Sequence, residues 1–301
     1  MNKSYILGAD IGGSHITCAA IKIETATIEE GTYTEEKVNS KAEDAKEVLD
    51  AWAKAINDAA SNVGSENVEG IGLAIPGPFD YANGIALYTG ENDKFAALYQ
   101  LDIRSAISER TGIPANRIFF ANDAACFGMG ENWAGAGKGS NRMIGITLGT
   151  GFGAVYMKDG KHVTEGSGVP NGGELWDYPY NGTIAEDFVS TRWFIKRYAE
   201  LTGETVEGVY DVAKIHATSQ ASQQIFEEFA NTLANILSPS IKEFEATTLV
   251  IGGSIAKSSH LFIGKVHDVL ASRGLNVKVA TAELFDQAAI LGAAKLVLNS
   301  I

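Results

Sequence analysis

The chain has 301 residues, of which 45% are hydrophobic and 20% are charged, and its formal net charge at pH 7 is −13. An acidic balance of this size argues against nonspecific binding to nucleic acid or to anionic membrane, because both favour basic surfaces. No apolar run reaches the roughly 18 residues of a membrane helix, and the first residues lack a signal-peptide pattern, so we expect a soluble cytoplasmic protein.

Apolar runs rich in Val, Ile and Leu alternate with longer segments of helical periodicity, which is typical of an α/β protein. In chain order, we predict strands at 4–10, 16–23, 68–75, 117–121, 142–148, 152–157 and 247–252. We predict helices at 41–61, 101–112, 122–132, 184–201, 219–244, 254–272 and 286–299. The length favours two domains. Because no polar linker interrupts the pattern, the boundary between them would be a hinge.

The sequence contains a weak internal repeat. Leu7–Ser14 aligns without a gap with Ile144–Gly151, and each stretch reads as a strand, a Gly-rich tight turn and a second apolar strand. Farther along, Gly72–Gly77 has a similar counterpart in Thr248–Gly253. Because both pairs occur in the same order, we predict a duplicated fold. The second half is longer, and its extra length includes the acidic segment Gly172–Asp187, where an insertion would be a functional loop.

The two Gly-rich turns are candidate phosphate-binding loops. Glycine lets a backbone N–H approach an anion closely, and Ser14, Thr17, Thr147 and Thr150 add hydroxyl donors. The turns lack the Lys of a Walker A loop, and they lead into strands rather than helices, which excludes a Rossmann fingerprint. Each turn alone also fits an ordinary β-hairpin. Asp10 favours the functional interpretation of the first turn, because a carboxylate ending a buried strand suits Mg²⁺ with phosphate.

A second candidate is the pair Asn122 and Asp123, which follows a predicted strand at the start of a predicted helix. Both residue types are good helix N-caps, so capping alone would explain them. Alternatively, the pair lies where open α/β sheets bind ligands, at the carboxyl end of a strand. In that position Asp123 would orient or deprotonate a substrate hydroxyl.

Taken together, the motifs resemble those of the ROK family of sugar kinases, within the actin/hexokinase/Hsp70 superfamily. In the family's order, the chain contains Asp10-Ile-Gly-Gly-Ser, Ile75-Pro-Gly-Pro-Phe-Asp80, Asn122-Asp-Ala, Gly130-Glu-Asn-Trp-Ala-Gly-Ala-Gly137, Thr147-Leu-Gly-Thr-Gly-Phe-Gly153, Ile251-Gly-Gly-Ser254 and Leu291-Gly-Ala-Ala294. The resemblance implies a duplicated, two-domain ribonuclease H-like or actin-like ATPase fold of α/β class, with an interdomain cleft. We expect an N-terminal domain at 1–121, completed by the C-terminal helix 286–301, and a larger domain at 122–285.

The resemblance also implies a function, ATP-dependent phosphorylation of a monosaccharide such as a hexose, with Mg²⁺. Asp123 would be the base on the attacked hydroxyl, and Asn122 and Gly77 would contact the sugar. Asp10 would serve Mg²⁺ through phosphate or water. The implied phosphate-binding residues are Gly12, Gly13, Ser14, Thr147, Gly149, Thr150 and Gly151. Gly252, Gly253 and Ser254 would lie against the adenosine.

The acidic segment matches the family's sugar-binding loop in part. Glu174 and Glu186 stand at the positions of its two sugar-binding Glu residues, the second within a Glu-x-x-x-Ser step. Asp177 replaces the family's His, so it either contacts the sugar or is a solvated carboxylate. The zinc-binding Cys residues are absent, so we expect no structural zinc. Asn92 corresponds to a sugar-facing Asn of the family.

Two other functions remain open at this point. One is a sugar-binding or assembly protein without kinase activity, which retention of Asp10, Asp123 and both glycine turns disfavours. The other is a sugar-responsive transcription regulator, since the family includes repressors. Those carry an N-terminal helix-turn-helix, whereas the first predicted strand begins by Ser4. The expected partners are a sugar and ATP, and the family resemblance allows a homodimer.

Overall fold

The structure is a computed structural model that describes residues 4–89 and 94–300. Within these residues the strands, in chain order, are β1 (Tyr5–Ile11), β2 (His15–Lys22), β3 (Thr27–Ile28), β4 (Thr34–Lys37), β5 (Val68–Ala74), β6 (Phe79–Asp80), β7 (Ile85–Ala86), β8 (Ile118–Ala121), β9 (Arg142–Leu148), β10 (Phe152–Lys158), β11 (Lys161–Val163), β12 (Pro179–Tyr180), β13 (Thr183–Ile184), β14 (Thr248–Gly252) and β15 (Lys278–Thr281).

The helices of the same residues are α1 (Ala45–Ser61), α2 (Ile103–Thr111), α3 (Asp123–Ala134), α4 (Glu186–Val189), α5 (Thr191–Thr202), α6 (Val209–Lys214), α7 (Gln220–Phe244), α8 (Ile263–Ser272) and α9 (Ala288–Ser300). Short 3₁₀ segments occur at Ser65–Asn67, Ala96–Leu98, Ala115–Arg117, Asn171–Gly173, Ser254–Leu261 and Phe285–Gln287. Among the helices described, none combines the length and the apolar character needed to cross a bilayer.

The chain divides into two compact units. The first comprises the described parts of 1–134 and 286–301, and the second comprises 135–285. Helix α9 belongs to the first unit because it packs against α3, β1 and β5. The division into domains at 1–121 and 122–285 stays a prediction. The compact first unit extends to the end of α3 because that helix packs on α9.

Each unit contains one main sheet, and the two sheets share a topology. In the first unit the order is β3-β2-β1-β5-β8, with β4 also paired to β2. In the second unit the order is β11-β10-β9-β14-β15. In both sheets, a hairpin of two antiparallel strands is followed by two parallel neighbours on the side of its first strand. This shared order confirms the duplication that the sequence repeat predicts.

The seven predicted strands all form, with ends that differ by at most a residue or two from those expected. The predicted helix at 184–201 is wrong as a single element, because Ser190 is fully buried in an extended conformation (φ −109°, ψ 167°) that separates α4 from α5. The predicted helix at 254–272 begins as a 3₁₀ segment. The edge strand β15 was not predicted, because its four residues are only partly buried or exposed and lack a strong apolar pattern.

Aromatic side chains fill the core of each unit. In the first unit, the ring of Trp52 on α1 lies edge-on to that of Phe95, with centroids 5.5 Å apart. Helix α1 begins where Asp44 caps it by accepting a hydrogen bond from the backbone N–H of Lys46. In the second unit, Phe226 and Phe229 of α7 are buried under the sheet. Burying one such side chain stabilises the fold by about 1.5–3 kcal/mol.

Candidate functional site

A cavity of about 490 Å³ lies in the first unit at the carboxyl ends of its parallel strands. Asp10 of β1, Ala74 of β5 and Ala121 of β8 are in register across the sheet. The residues that follow these three strands therefore meet at one edge, which is where open α/β sheets bind ligands. Predicted site residues lining the cavity are Gly12, Gly13, Gly77 and Asp123.

Asp10 lies next to this cavity in an unusual electrostatic environment. Burial, together with the negative charges of Asp123 and Asp286, raises the pKa of its carboxyl to about 6, whereas His15 acts in the opposite direction. A carboxylate pair under such repulsion is stabilised by a cation. The residues present are therefore suited to a site that receives Mg²⁺ together with phosphate.

Asn122 caps α3, and Asp123 is the first residue of that helix. The Asn122 Oδ1 and the Asp123 Oδ1 accept hydrogen bonds from the N–H of Ala124, at 3.0 and 2.8 Å. Asn122 also donates through Nδ2 to the Tyr81 hydroxyl at 3.3 Å. Asp123 is exposed and lines the cavity. The hydrogen bond of Asp123 to Ala124 is thus compatible with a place in the cavity.

The turn between β1 and β2 closes through the Gly12 N–H, which donates to the His15 carbonyl at 2.9 Å. Gly13 is open to the cavity. The Ser14 hydroxyl lies 3.0 Å from the His15 Nδ1, and both side chains are exposed. The first predicted phosphate loop is therefore a tight hairpin with glycine backbone at the cavity wall.

Sequence reasoning missed Lys94, which also lines the cavity. A Cβ placed on Gly13 would lie 3.0 Å from the Lys94 Cε and 3.2 Å from its Nζ, so the lysine side chain lies over the glycine turn. The sequence carries no signal for this contact, because a single exposed lysine distant from the turn matches no motif. The predicted sugar-contacting residue Asn92 lies outside the described residues.

The second predicted phosphate loop joins β9 to β10 in the other unit. The Gly149 N–H donates to the Gly151 carbonyl at 3.0 Å. The Gly149 carbonyl accepts two hydrogen bonds from Thr191, one from its backbone N–H at 2.8 Å and one from its hydroxyl at 3.0 Å. Thr147, the last residue but one of β9, is partly exposed, and Thr150 is exposed in the turn. Thr191, at the start of α5, was not predicted to contribute to the site.

The predicted adenosine segment lies against this second turn. Gly252 is in register with Thr147 across the parallel strands β14 and β9. Gly253 has φ +84°, and a Cβ there would lie 2.4 Å from the Leu148 carbonyl oxygen, so the position requires glycine. The Ser254 hydroxyl would lie 3.2 Å from a Cβ on Gly149. The structure thus brings together the two segments that the sequence assigns to the nucleotide.

Glu186 lies beside the same turn. Its Oε2 accepts a hydrogen bond from the Phe152 N–H at 3.0 Å, and its Oε1 accepts one from the Arg192 guanidinium at 2.7 Å. A Cβ on Gly151 would lie 3.0 Å from that Oε2. Glu186 therefore holds the start of β10, a structural role that the sequence did not predict. Arg192, its ion-pair partner on α5, was also missed.

Glu174 and Asp177, the other two residues of this segment predicted to bind the sugar, are exposed. Glu174 accepts a hydrogen bond from the indole N–H of Trp176 at 2.7 Å. The Trp176 carbonyl in turn accepts from the Glu186 N–H at 3.0 Å, which closes the segment on itself. Asp177 is exposed at its turn. Across residues 4–89 and 94–300, no three His, Cys, Asp or Glu side chains are grouped to hold a metal ion.

Comparison with known proteins extends these observations. The sequence model of the ROK family matches residues 6–300. The glucokinase of Thermotoga maritima is 24% identical over 100% of this chain and 99% of its own length. The N-acetyl-D-glucosamine kinase of Photobacterium profundum is 25% identical over 96% of this chain and 98% of its own length. A crystal structure of a ROK hexokinase from Thermus thermophilus aligns with a TM-score of 0.78 at 22% identity, covering 99% of this chain and 100% of that one. The structural match confirms the predicted fold class.

Proposed function

Because the chain belongs to the ROK family, we propose that it transfers the terminal phosphoryl group of ATP to a hydroxyl of a monosaccharide. The observation that carries the proposal is the common position of Asp123 and of the glycine turn at Gly12 and Gly13, which line one cavity. Relatives named as glucokinase and N-acetyl-D-glucosamine kinase support a hexose or a hexosamine derivative as the acceptor.

In this mechanism, the Asp123 carboxylate accepts the proton of the attacking sugar hydroxyl. A bond forms between that oxygen and the γ-phosphorus, and the bond from the γ-phosphorus to the bridging oxygen breaks, so that ADP leaves. Phosphoryl transfer asks little covalent work of the protein, so positioning and neutralisation of charge supply most of the catalysis. Asn122 and Gly77 are proposed to contact the sugar, with Asn92, Glu174, Asp177 and Glu186 assigned to it by family resemblance.

Mg²⁺ is the expected partner of ATP, and it would neutralise charge on the transferred phosphate. Asp10 is the proposed residue for it, directly or through water, because its carboxylate lies near that of Asp123 and the two repel each other. In the other unit, the turn from Thr147 to Gly151 is proposed to bind further phosphate oxygens, with Gly252 to Ser254 against the adenosine. Ser14 is proposed to assist the first turn.

The test measures ADP production on a panel of monosaccharides that includes glucose and N-acetylglucosamine, with Asp123→Asn as the variant. We expect sugar-dependent ADP release from the wild type and a loss of about 10²-fold or more in the variant, because the base is removed. The unfolding curve of Asp123→Asn should match that of the wild type. Turnover within about threefold of wild type in Asp123→Asn would contradict the role of this residue.

The same panel of sugars also tests the alternative of a sugar-binding protein without kinase activity. If the wild type releases no ADP in response to any sugar, yet binds one, a sugar-binding protein without kinase activity becomes the better interpretation. Direct calorimetric titration of each sugar against the wild type distinguishes these two functions.

A further inference from the structure

Lys94 is an unexplained cation at the wall of the cavity in the first unit. Its Cε and Nζ would lie 3.0 and 3.2 Å from a Cβ on Gly13, so the ammonium lies directly over the glycine turn. Its side chain is exposed, and in the described part of the chain no carboxylate forms an ion pair with it. This ammonium group lies next to a glycine turn whose backbone N–H groups suit an anion, and no carboxylate of residues 4–89 and 94–300 pairs with it, so it can contact a ligand.

The backbone at Lys94 is held in place by its neighbour. Phe95 is 1% exposed, with ring centroids 5.5 Å from Trp52 and 5.4 Å from Tyr88. Its N–H donates to the Ser40 carbonyl at 2.6 Å. Phe95 also has φ +56°, a left-handed conformation that a non-glycine residue keeps only when its surroundings enforce it. The chain is therefore anchored immediately after Lys94, which limits where the lysine side chain can reach.

Two carboxylates lie at or beside the cavity that Lys94 lines. Asp123 lines the cavity, Asp10 is the last residue but one of β1, and the chain as a whole carries a net charge of −13. An anionic group that enters would be repelled by both carboxylates. Among the described lining residues Lys94 is the one Lys or Arg, so its ammonium is placed to offset that repulsion.

We propose that Lys94 binds the phosphoryl group that is transferred, holding its oxygens against the N–H groups of the Gly12–Gly13 turn. The inference rests on the proposed kinase function, which it deepens by assigning the cation that contacts the transferred group. Charge builds on the phosphoryl oxygens during transfer, and a preorganised ammonium stabilises that charge more than it stabilises the ground state.

The kinetic test compares Lys94→Met with Lys94→Arg, and uses Lys158→Met as the matched control. Lys158 is an exposed lysine at the end of β10, so its variant loses the same charge elsewhere. We expect Lys94→Met to lower kcat by about 10²-fold with the sugar KM changed less than about threefold. Lys94→Arg should recover part of the loss, and Lys158→Met should match the wild type.

A binding test removes the dependence on turnover. ATP and ADP are titrated without sugar. We expect Lys94→Met to lower the affinity for ATP by about tenfold and the affinity for ADP by less than about threefold, because ADP lacks the terminal phosphate. If the wild type binds ATP with this Lys94 dependence but releases no ADP with any sugar, the kinase proposal fails while the phosphate assignment stands.

Two results would overturn the inference. One is a Lys94→Met variant that matches Lys158→Met in both kcat and ATP affinity. The other is a raised sugar KM with unchanged kcat and unchanged ATP affinity, which would mean that the lysine recognises an acidic substituent of the sugar instead.

Discussion

Asp10 occupies a position where ionisation is unfavourable. The pKa of its carboxyl is about 6 in the folded protein, against an ordinary value of 3.8 for Asp, because of burial and the neighbouring carboxylates. Between these two pH values the folded state binds more protons than the unfolded state. The free energy of unfolding therefore falls as the pH rises through this window. At neutral pH the ionised Asp10 carboxylate destabilises the folded protein.

We predict that Asp10→Asn unfolds with a free energy about 1–3 kcal/mol higher than the wild type at pH 7.5, in the absence of nucleotide and Mg²⁺. The difference should disappear near pH 4, where the wild-type carboxyl is protonated. Urea unfolding at several pH values measures it, and the variant should lose kinase activity.

Asp80 is a control in the same unit, because the pKa of its carboxyl is shifted in the opposite direction. Hydrogen bonds from the side chain and backbone N–H of Asn83 lower the pKa of the Asp80 carboxyl. Asp80→Asn should therefore not stabilise the protein at neutral pH. If Asp10→Asn and Asp80→Asn changed the free energy of unfolding at neutral pH by the same amount, the explanation from burial and repulsion would be contradicted.

Glu174 and Glu186 were assigned the same role by resemblance, yet their surroundings differ. Glu186 accepts from the Phe152 N–H, whereas Glu174 is exposed and accepts from the Trp176 indole. We predict that Glu186→Ala lowers the free energy of unfolding by about 1–2 kcal/mol, because it leaves a backbone donor without its partner. Glu174→Ala should lower the free energy of unfolding by less than about 0.5 kcal/mol. If chemical denaturation showed the same loss of unfolding free energy in both variants, the prediction would be wrong.

At the residue scale, the sequence predicts those site residues that lie next to strand ends. Asp10, Gly12, Gly13 and Asp123 follow from the strand–turn pattern, because parallel strands bring their carboxyl ends to one edge. Lys94 could not be predicted, since its place over Gly13 depends on how Phe95 packs in the core. Such a contact has no counterpart in any local pattern.

At the scale of elements, the close crossing of α3 and α9 stands out. A Cβ on Gly292 of α9 would lie 1.7 Å from the Cys126 carbonyl oxygen of α3, so the two backbones touch where the glycine lies. The sequence predicts both helices, but it does not show that they meet. The positions of the two helices in the sequence follow from local patterns, whereas their contact follows from the topology of the sheet on which α9 packs.

We predict that Gly292→Ala lowers the free energy of unfolding by at least about 2 kcal/mol, because the added methyl group forces the two helices apart. Gly264 of α8 is the matched control, since a Cβ there meets no atom within 4 Å. Gly264→Ala should raise stability by about 0.5 kcal/mol, the ordinary helix preference of alanine. A thermal melt of each variant against the wild type decides the matter, and a tolerated Gly292→Ala would contradict the close packing.

For the whole molecule, the repeat in the sequence correctly predicts two sheets with the same strand order. It succeeds because a Gly-rich turn between two apolar strands is a strong local signal that occurs in both halves. It does not predict the break at Ser190, where a buried extended residue interrupts a helical pattern. Tertiary packing overrides local propensity at that residue.

The place of α9 in the first unit has a consequence for how the protein is made. Residues 135–285 form the second unit without interruption, so a ribosome can release that unit complete. The first unit begins with the earliest described strand and takes its last helix from the end of the chain. Its sheet therefore emerges before the second unit, yet it stays uncovered on the α9 side until α9 has followed that unit off the ribosome. We expect the second unit to be folded before the first, reversing the order of translation.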